Sequence, residues 1–206
     1  MTVQRDVHFG TKVFTTSPMN RTPDRIHLVP TSLVLLMGVA GTGKTTVAKA
    51  LLKRICAIYL DNNFIADAFF PDTRTDTHYL QLRGKFYSVL YRITQENLQV
   101  GNTVLLDVPH VKEMVDPTWR AWLSEFAITN SAALRIIRCF TSEEVLHQRI
   151  RNRGEPRDDW KLKNWKEFLE KEPLFPPILF DHLDLDTSTG DTEVHAARAI
   201  AYLLSM

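Results

Sequence analysis

Five short apolar runs are spaced along the chain, and helical periodicity fills the intervals between them. Leu33 to Met37 is unbroken and ends in a glycine cluster, which predicts a strand buried on both faces of a parallel sheet. From Thr45 to Arg54, Val47, Ala48, Leu51 and Leu52 fall on one helical face, with Lys49 and Lys53 outward. The other runs predict strands at Ala57 to Leu60, Thr103 to Leu106, Leu134 to Phe140 and Leu183 to Leu185. Between them the longest helix is expected over Tyr79 to Val100. It carries Leu82, Phe86, Val89, Leu90 and Ile93 on a core stripe and stops at Gly101-Asn102. Further helices are expected at Trp119 to Ala127, Glu143 to Arg153, Trp160 to Lys171 and Glu193 to Leu204. Pro173, Pro176 and Pro177 impose a loop before the last strand. This alternation predicts an α/β fold on a five-stranded parallel sheet.

Composition narrows the class. The 206 residues are 44% hydrophobic and 24% charged with net charge +1, enough for a sizeable core and without the basic footprint of a dedicated nucleic-acid binder. Cys56 and Cys139 lie far apart in apolar surroundings, with neither disulfide-framework nor metal-ligand spacing, and read as core thiols in a reducing compartment. No run is long enough for a membrane span, so a cytoplasmic protein is expected. Residues 1–30 are polar and proline-punctuated without a sustained period. They are expected to be an extension of a domain over 31–206.

The strongest local signal is Gly38-Val39-Ala40-Gly41-Thr42-Gly43-Lys44-Thr45, which fits G-x-x-x-x-G-K-[ST] and sits between a predicted buried strand and an amphipathic helix. Gly41 and Gly43 permit backbone conformations that turn successive N–H groups inward to cradle phosphates. Lys44 is placed to reach the β- and γ-phosphates, and Thr45 to offer its hydroxyl to Mg²⁺. Thr46 belongs to the first turn of the helix. No base-reading N-K-x-D motif of a GTPase is present, nor a glutamate after Asp107, where a motor ATPase would place one.

Asp61 and Asp107 each follow an apolar run, so both carboxylates are expected at the carboxyl edge of the sheet beside this loop. There Asp107 would orient Mg²⁺ through water, and Asp61 would accept the proton of an attacking hydroxyl. Each also suits a strand-ending turn or a helix cap. Arg149 and Arg153 lie one helical turn apart and share a face directed to the phosphates, while Arg151 faces the other way.

These features, with Tyr59 to Ala66, Asn97 to Pro109, Gln148 to Arg153 and Arg157 to Leu162, resemble the predicted-kinase family of P-loop proteins. Its broader relatives include chloramphenicol phosphotransferase, polynucleotide kinase and zeta toxin. The resemblance spans most of Leu33 to Thr187. It implies a three-layer, nucleoside-monophosphate-kinase-like fold with an arginine-rich lid, binding of ATP and Mg²⁺, and transfer of the γ-phosphate to a hydroxyl of a small molecule. His182 to Thr187 is similar to the family's last strand, which puts Asp186 and Thr187 with Arg153 on the nucleotide side. One departure matters: where the family shows two acids flanking one residue, this chain has Asp61-Asn62-Asn63. An amide cannot take up a proton, so either Asp61 or Asp107 serves as base, or transfer is reduced.

The stretch Asp67 to Arg83 is expected over the acceptor pocket, with Arg74, Tyr79 and Arg83, and Arg157 from the arginine segment, as acceptor contacts. Two other readings stand beside a small-molecule kinase. Asn63 keeps open an ATP-binding regulatory module without transfer. A kinase of nucleic-acid 5′-hydroxyls is disfavoured by the absence of a basic, base-stacking stripe. No feature bears on oligomeric state.

Overall fold

The computed structural model describes residues 7–9, 12–14 and 25–205. Most of the expected extension over 1–30 therefore lies outside the described residues. Within it, β1 (Val7–Phe9) and β2 (Lys12–Phe14) pair antiparallel. Residues 25–30 belong to the packed body: Ile26 bridges Ile55, and Leu28 is buried in the core.

The chain then runs β3 (Ser32–Met37), α1 (Lys44–Leu52), β4 (Ile58–Asp61), α2 (Asn62–Phe69), α3 (Thr77–Gln99), β5 (Val104–Asp107), α4 (Pro117–Thr129) and β6 (Ala133–Phe140). It continues through α5 (Glu143–Arg153), α6 (Asp159–Lys163), α7 (Trp165–Lys171), β7 (His182–Asp186) and α8 (Thr192–Leu204). The sheet is parallel throughout, in the order β4-β5-β3-β6-β7.

Alternation along β3 explains the three layers. Val34 and Leu36 join Val47, Leu51 and Ala199 on the α1 and α8 face. Leu33, Leu35 and Met37 join Leu90, Leu98 and Leu123 on the α3 and α4 face. A strand covered on both sides has no polar face to show, hence the unbroken apolar run. Sheet growth reverses direction at β3, which lies between β5 and β6, and ligand crevices of open parallel sheets form at such a point.

Two helical expectations change. Periodicity does not predict α2; its start is fixed by Asp61, whose carboxylate accepts from the Asn63 backbone N–H. The helix expected over Trp160 to Lys171 is two helices, because Asn164 leaves the helical region and its side-chain amide donates to the Trp160 carbonyl at 2.9 Å. Of the cysteines, Cys139 is a core thiol, pushed up to about 12 by burial, whereas Cys56 is only partly buried.

Candidate active site

The glycine loop leaves β3 beneath the carbonyl of Cys139. Gly38 sits at φ +131°, and a Cβ there would lie 2.2 Å from that oxygen. Gly38→Ala is therefore expected to cost about 3 kcal/mol and lower the melting temperature by roughly 6–12 °C, read by thermal denaturation. A variant as stable as the parent would show that the loop adapts freely.

Gly41 and Gly43 also have positive φ, at +93° and +83°. Gly43 caps α1 with no side-chain hydrogen bond, whereas Asp61, Asp76, Asp116, Ser142 and Asp191 cap α2, α3, α4, α5 and α8. The first-turn N–H groups of α1 are thus left for an anion, where the helix dipole favours one. Thr42 turns inward to the Val39 carbonyl at 2.9 Å, and the buried Lys44 ammonium donates to the carbonyls of Gly38 and Val39 at 2.8 and 3.1 Å. A phosphate entering the cradle would offer that ammonium a stronger, charged acceptor.

Beside the loop, the parallel register places Asp61 directly opposite Asp107 at the ends of β4 and β5. Thr45 donates its hydroxyl to Asp107 Oδ2 at 2.8 Å. The Tyr59 hydroxyl lies 3.0 Å from the same oxygen and 3.3 Å from Asp61 Oδ2. Asn63 occupies the other Asp61 oxygen with both its backbone N–H (2.8 Å) and its side-chain amide (2.9 Å). Burial and the neighbouring Asp107 raise the pKa of Asp61 above the ordinary carboxylate range, against the pull of the Asn63 amide and Lys44. Burial, reinforced by both carboxylates, likewise raises the Tyr59 phenol and keeps it a donor. The Thr45 hydroxyl and Asp107 carboxylate converge as hard oxygen donors, a set that fits a hydrated Mg²⁺.

All of this opens into a cleft of about 1240 Å³, roomy enough in volume for a nucleotide with an acceptor beside it. Ala40, Thr46 and Thr187 line its nucleotide end, and Arg74, Tyr79, Arg83 and Arg157 line the other. Gly38, Val39 and Thr42 lie behind the loop surface. Asp186 is not among the cleft's lining residues; it is exposed and accepts from the Ser188 N–H at 2.8 Å. Alternation along β7 turns it outward.

The arginine segment faces the cleft with Arg149 and Arg153, and Arg151 is exposed. The two guanidinium groups do not converge, however. Arg149 donates to the Thr187 hydroxyl and carbonyl at 3.0 and 2.5 Å, and Thr187 in turn donates to the Thr42 carbonyl at 2.9 Å. Arg153 pairs with Asp158, which also holds Lys161. Arg157 and Arg74 both pair with Asp67 of α2, and Arg83 pairs with Glu113 at 2.9 Å. Tyr59 and Glu113 are the site residues that sequence reasoning missed. Both owe their place to contacts far apart in the chain. The only signal for Tyr59 was its position two residues before Asp61, on the same strand face.

A family model described as an AAA domain matches residues 33–173. No curated protein matches the chain. Among solved structures, it is similar to a sugar kinase from Janibacter sp. HTCC2649 at 19% identity and TM-score 0.62, covering 84% of this chain and 95% of that one. The APS kinase of Mycobacterium tuberculosis, solved with AMPPNP and APS, aligns at 17% identity and TM-score 0.58 over 85% and 99% of the two chains. Shikimate kinase from Acinetobacter baumannii, solved with shikimate, aligns at 18% identity and TM-score 0.58 over 84% and 93%. Among the described residues, no helix is long and apolar enough to cross a membrane. With a glycine loop opening α1 and a parallel sheet ordered around β3, the chain belongs to the AAA-domain family of P-loop proteins and has the fold of the P-loop kinases.

Proposed function

We propose that the protein is an ATP-dependent phosphotransferase that moves the γ-phosphate of ATP to a hydroxyl of a small molecule. The observation that carries this reading is the pairing of Asp61 with Asp107 at the mouth of the glycine loop, inside a cleft with room for both reactants. Such transfer depends mainly on positioning and charge, which this arrangement supplies. The loop and α1 bind the phosphates, and Lys44 orients the β- and γ-groups. Thr45, with Asp107 through water, would hold Mg²⁺, which when bound offsets phosphate charge. Asp61 receives the acceptor proton as the acceptor oxygen bonds to phosphorus and the bond to the ADP oxygen breaks. Arg153 and Arg149 line the cleft and would reach the transferring group by leaving Asp158 and Thr187, and Arg74, Tyr79 and Arg157 would border the acceptor.

A screen with labelled ATP tests the proposal: label should appear on a hydroxylated small molecule. ATP binding without transfer to any acceptor would favour the second reading, an ATP-binding regulatory module. One observation supports that reading: two N–H groups of Asn63 occupy Asp61 Oδ1.

The arginines give a sharper test. Arg149→Ala and Arg153→Ala are each expected to lower turnover about tenfold to a hundredfold with a smaller change in ATP affinity, because charge redistributes at the transition state. Arg151→Ala should change steady-state rates by less than about twofold. Equal losses in all three would make the segment a general electrostatic patch.

A further inference from the structure

At the acceptor end of the cleft Arg74 and Arg157 share one carboxylate, Asp67, whereas Arg83 has Glu113 to itself. Arg83 Nη2 lies 2.9 Å from Glu113 Oε1 and 3.4 Å from the Tyr87 hydroxyl, and its guanidinium sits over the Tyr87 ring. The side chains stay 35% and 21% exposed, so a ligand in the cleft can reach both.

Glu113 is held there by a turn that nothing in the phosphate machinery requires. His110 takes positive φ (47°), and its ring is 1% exposed, packed against Tyr87, Tyr91 and Trp119. The Tyr91 hydroxyl lies 2.7 Å from His110 Nε2, and burial lowers the imidazole's pKa, so the neutral ring accepts there and turns Nδ1–H toward Glu113 Oε2, 3.7 Å away. Arg120 pins the same turn through the Met114 carbonyl at 3.0 Å. Burial alone would raise the Glu113 carboxyl. The Nδ1–H dipole of His110, 3.7 Å away, and Arg83, in direct contact, outweigh burial and hold it below the ordinary carboxylate range. Glu113 therefore stays ionised and Arg83 stays neutralised across the physiological range.

An anionic group docking at this pair would have to take Arg83 from Glu113 and leave a partly buried carboxylate without its partner. Hydroxyl groups impose no such exchange. One accepts from a free guanidinium N–H while its neighbour donates to the carboxylate, and the pair presents these complementary functions side by side. Phe64, Leu80 and Tyr79, which line the same end of the cleft, offer apolar surface to the C–H face of a ring.

We propose that Arg83 and Glu113 together form the specificity element for the acceptor, and that they select an uncharged polyhydroxylated molecule over an anionic one. The proposal rests on the phosphotransferase reading for its purpose, but it is tested by binding alone. Calorimetry with the full chain, Mg²⁺ and AMPPNP would compare neutral hexoses and inositol with the corresponding hexonic acids and hexose phosphates. Wild type should bind a neutral polyol at least about tenfold more tightly than its acidic counterpart. Glu113→Gln should lose about tenfold for the polyol and gain for the acid, because Arg83 is freed. The double variant Arg83→Gln with Glu113→Gln keeps a donor and an acceptor without charge, and should show no gain for the acid. Melting temperature and AMPPNP affinity report whether each variant is folded. Tighter binding of acids by wild type, no change of preference in Glu113→Gln, or no binding of any polyol would overturn the assignment. Polyol binding without phosphoryl transfer would leave it standing and remove the phosphotransferase reading instead.

Discussion

Lys44→Ala is expected to weaken ATP binding by about tenfold to a hundredfold and to reduce any phosphoryl transfer by about a thousandfold. The Lys44 ammonium is buried at the root of the glycine loop, where it donates to the carbonyls of Gly38 and Val39. Those neutral acceptors hold it over the cradle, and phosphate oxygens bind it more strongly because they carry full charge. Its removal leaves the N–H groups of the uncapped α1 in place, so phosphate affinity should fall and not vanish. The larger loss in turnover follows because charge on the transferring group is redistributed at the transition state, when a fixed cation contributes most. Calorimetry with AMPPNP and a rate measurement with ATP separate the two effects. Unchanged affinity and unchanged turnover would mean that the nucleotide binds elsewhere. The variant also frees two loop carbonyls, so its melting temperature should be measured beside the parent's.

The parts of this site that were legible in the sequence are those whose geometry is local. Glycines at fixed spacing between a buried strand and an amphipathic helix determine the loop, because only that spacing lets the backbone turn back on itself with its N–H groups inward. The carboxyl ends of β4 and β5 were legible for the same reason: an apolar run that stops at aspartate marks a strand end, and a parallel sheet brings strand ends to one edge. Asp186 shows the limit of that logic. Its strand ends at the right edge, but period-two alternation turns its side chain to solvent while Leu185 is buried. The acceptor end was legible only in part. Arg74, Arg83 and Arg157 reach the cleft, yet their partners Asp67 and Glu113 are set by α2 and by the turn after His110, which strand and helix periodicity does not encode. The sharing of Asp67 by Arg74 and Arg157, and of Asp158 by Arg153 and Lys161, is a property of the folded chain alone.

Asp61→Asn is expected to lower phosphoryl transfer by about a hundredfold or more while leaving ATP affinity nearly intact. The substitution keeps the shape of the side chain and an oxygen able to accept the Asn63 N–H bonds, so the cap of α2 survives when the amide is oriented that way. What it removes is the oxygen that can take a proton. Asp61 Oδ2 carries only the long 3.3 Å contact from Tyr59 and faces the cleft, whereas Asp107 Oδ2 is engaged by both Thr45 and Tyr59. Asp107 Oδ1 accepts no hydrogen bond among the described residues, but Asp107 is held by Thr45 in the set that would carry Mg²⁺, which leaves Asp61 as the proposed base. Its raised pKa makes it a stronger base than an ordinary surface carboxylate, since burial and Asp107 both penalise its charged form. Asn63→Asp is the complementary variant: it withdraws the side-chain amide from Asp61 Oδ1 and adds a second carboxylate beside it. If Asp61 is the base, Asn63→Asp should not restore transfer beyond the parent by more than about threefold. A large rise would show that the parent lacks an effective base and that Asn63 is the cause. If Asp61→Asn transfers normally and Asp107→Asn does not, the proton passes to Asp107. If neither substitution changes the rate, proton transfer contributes nothing to the barrier and positioning alone carries the reaction.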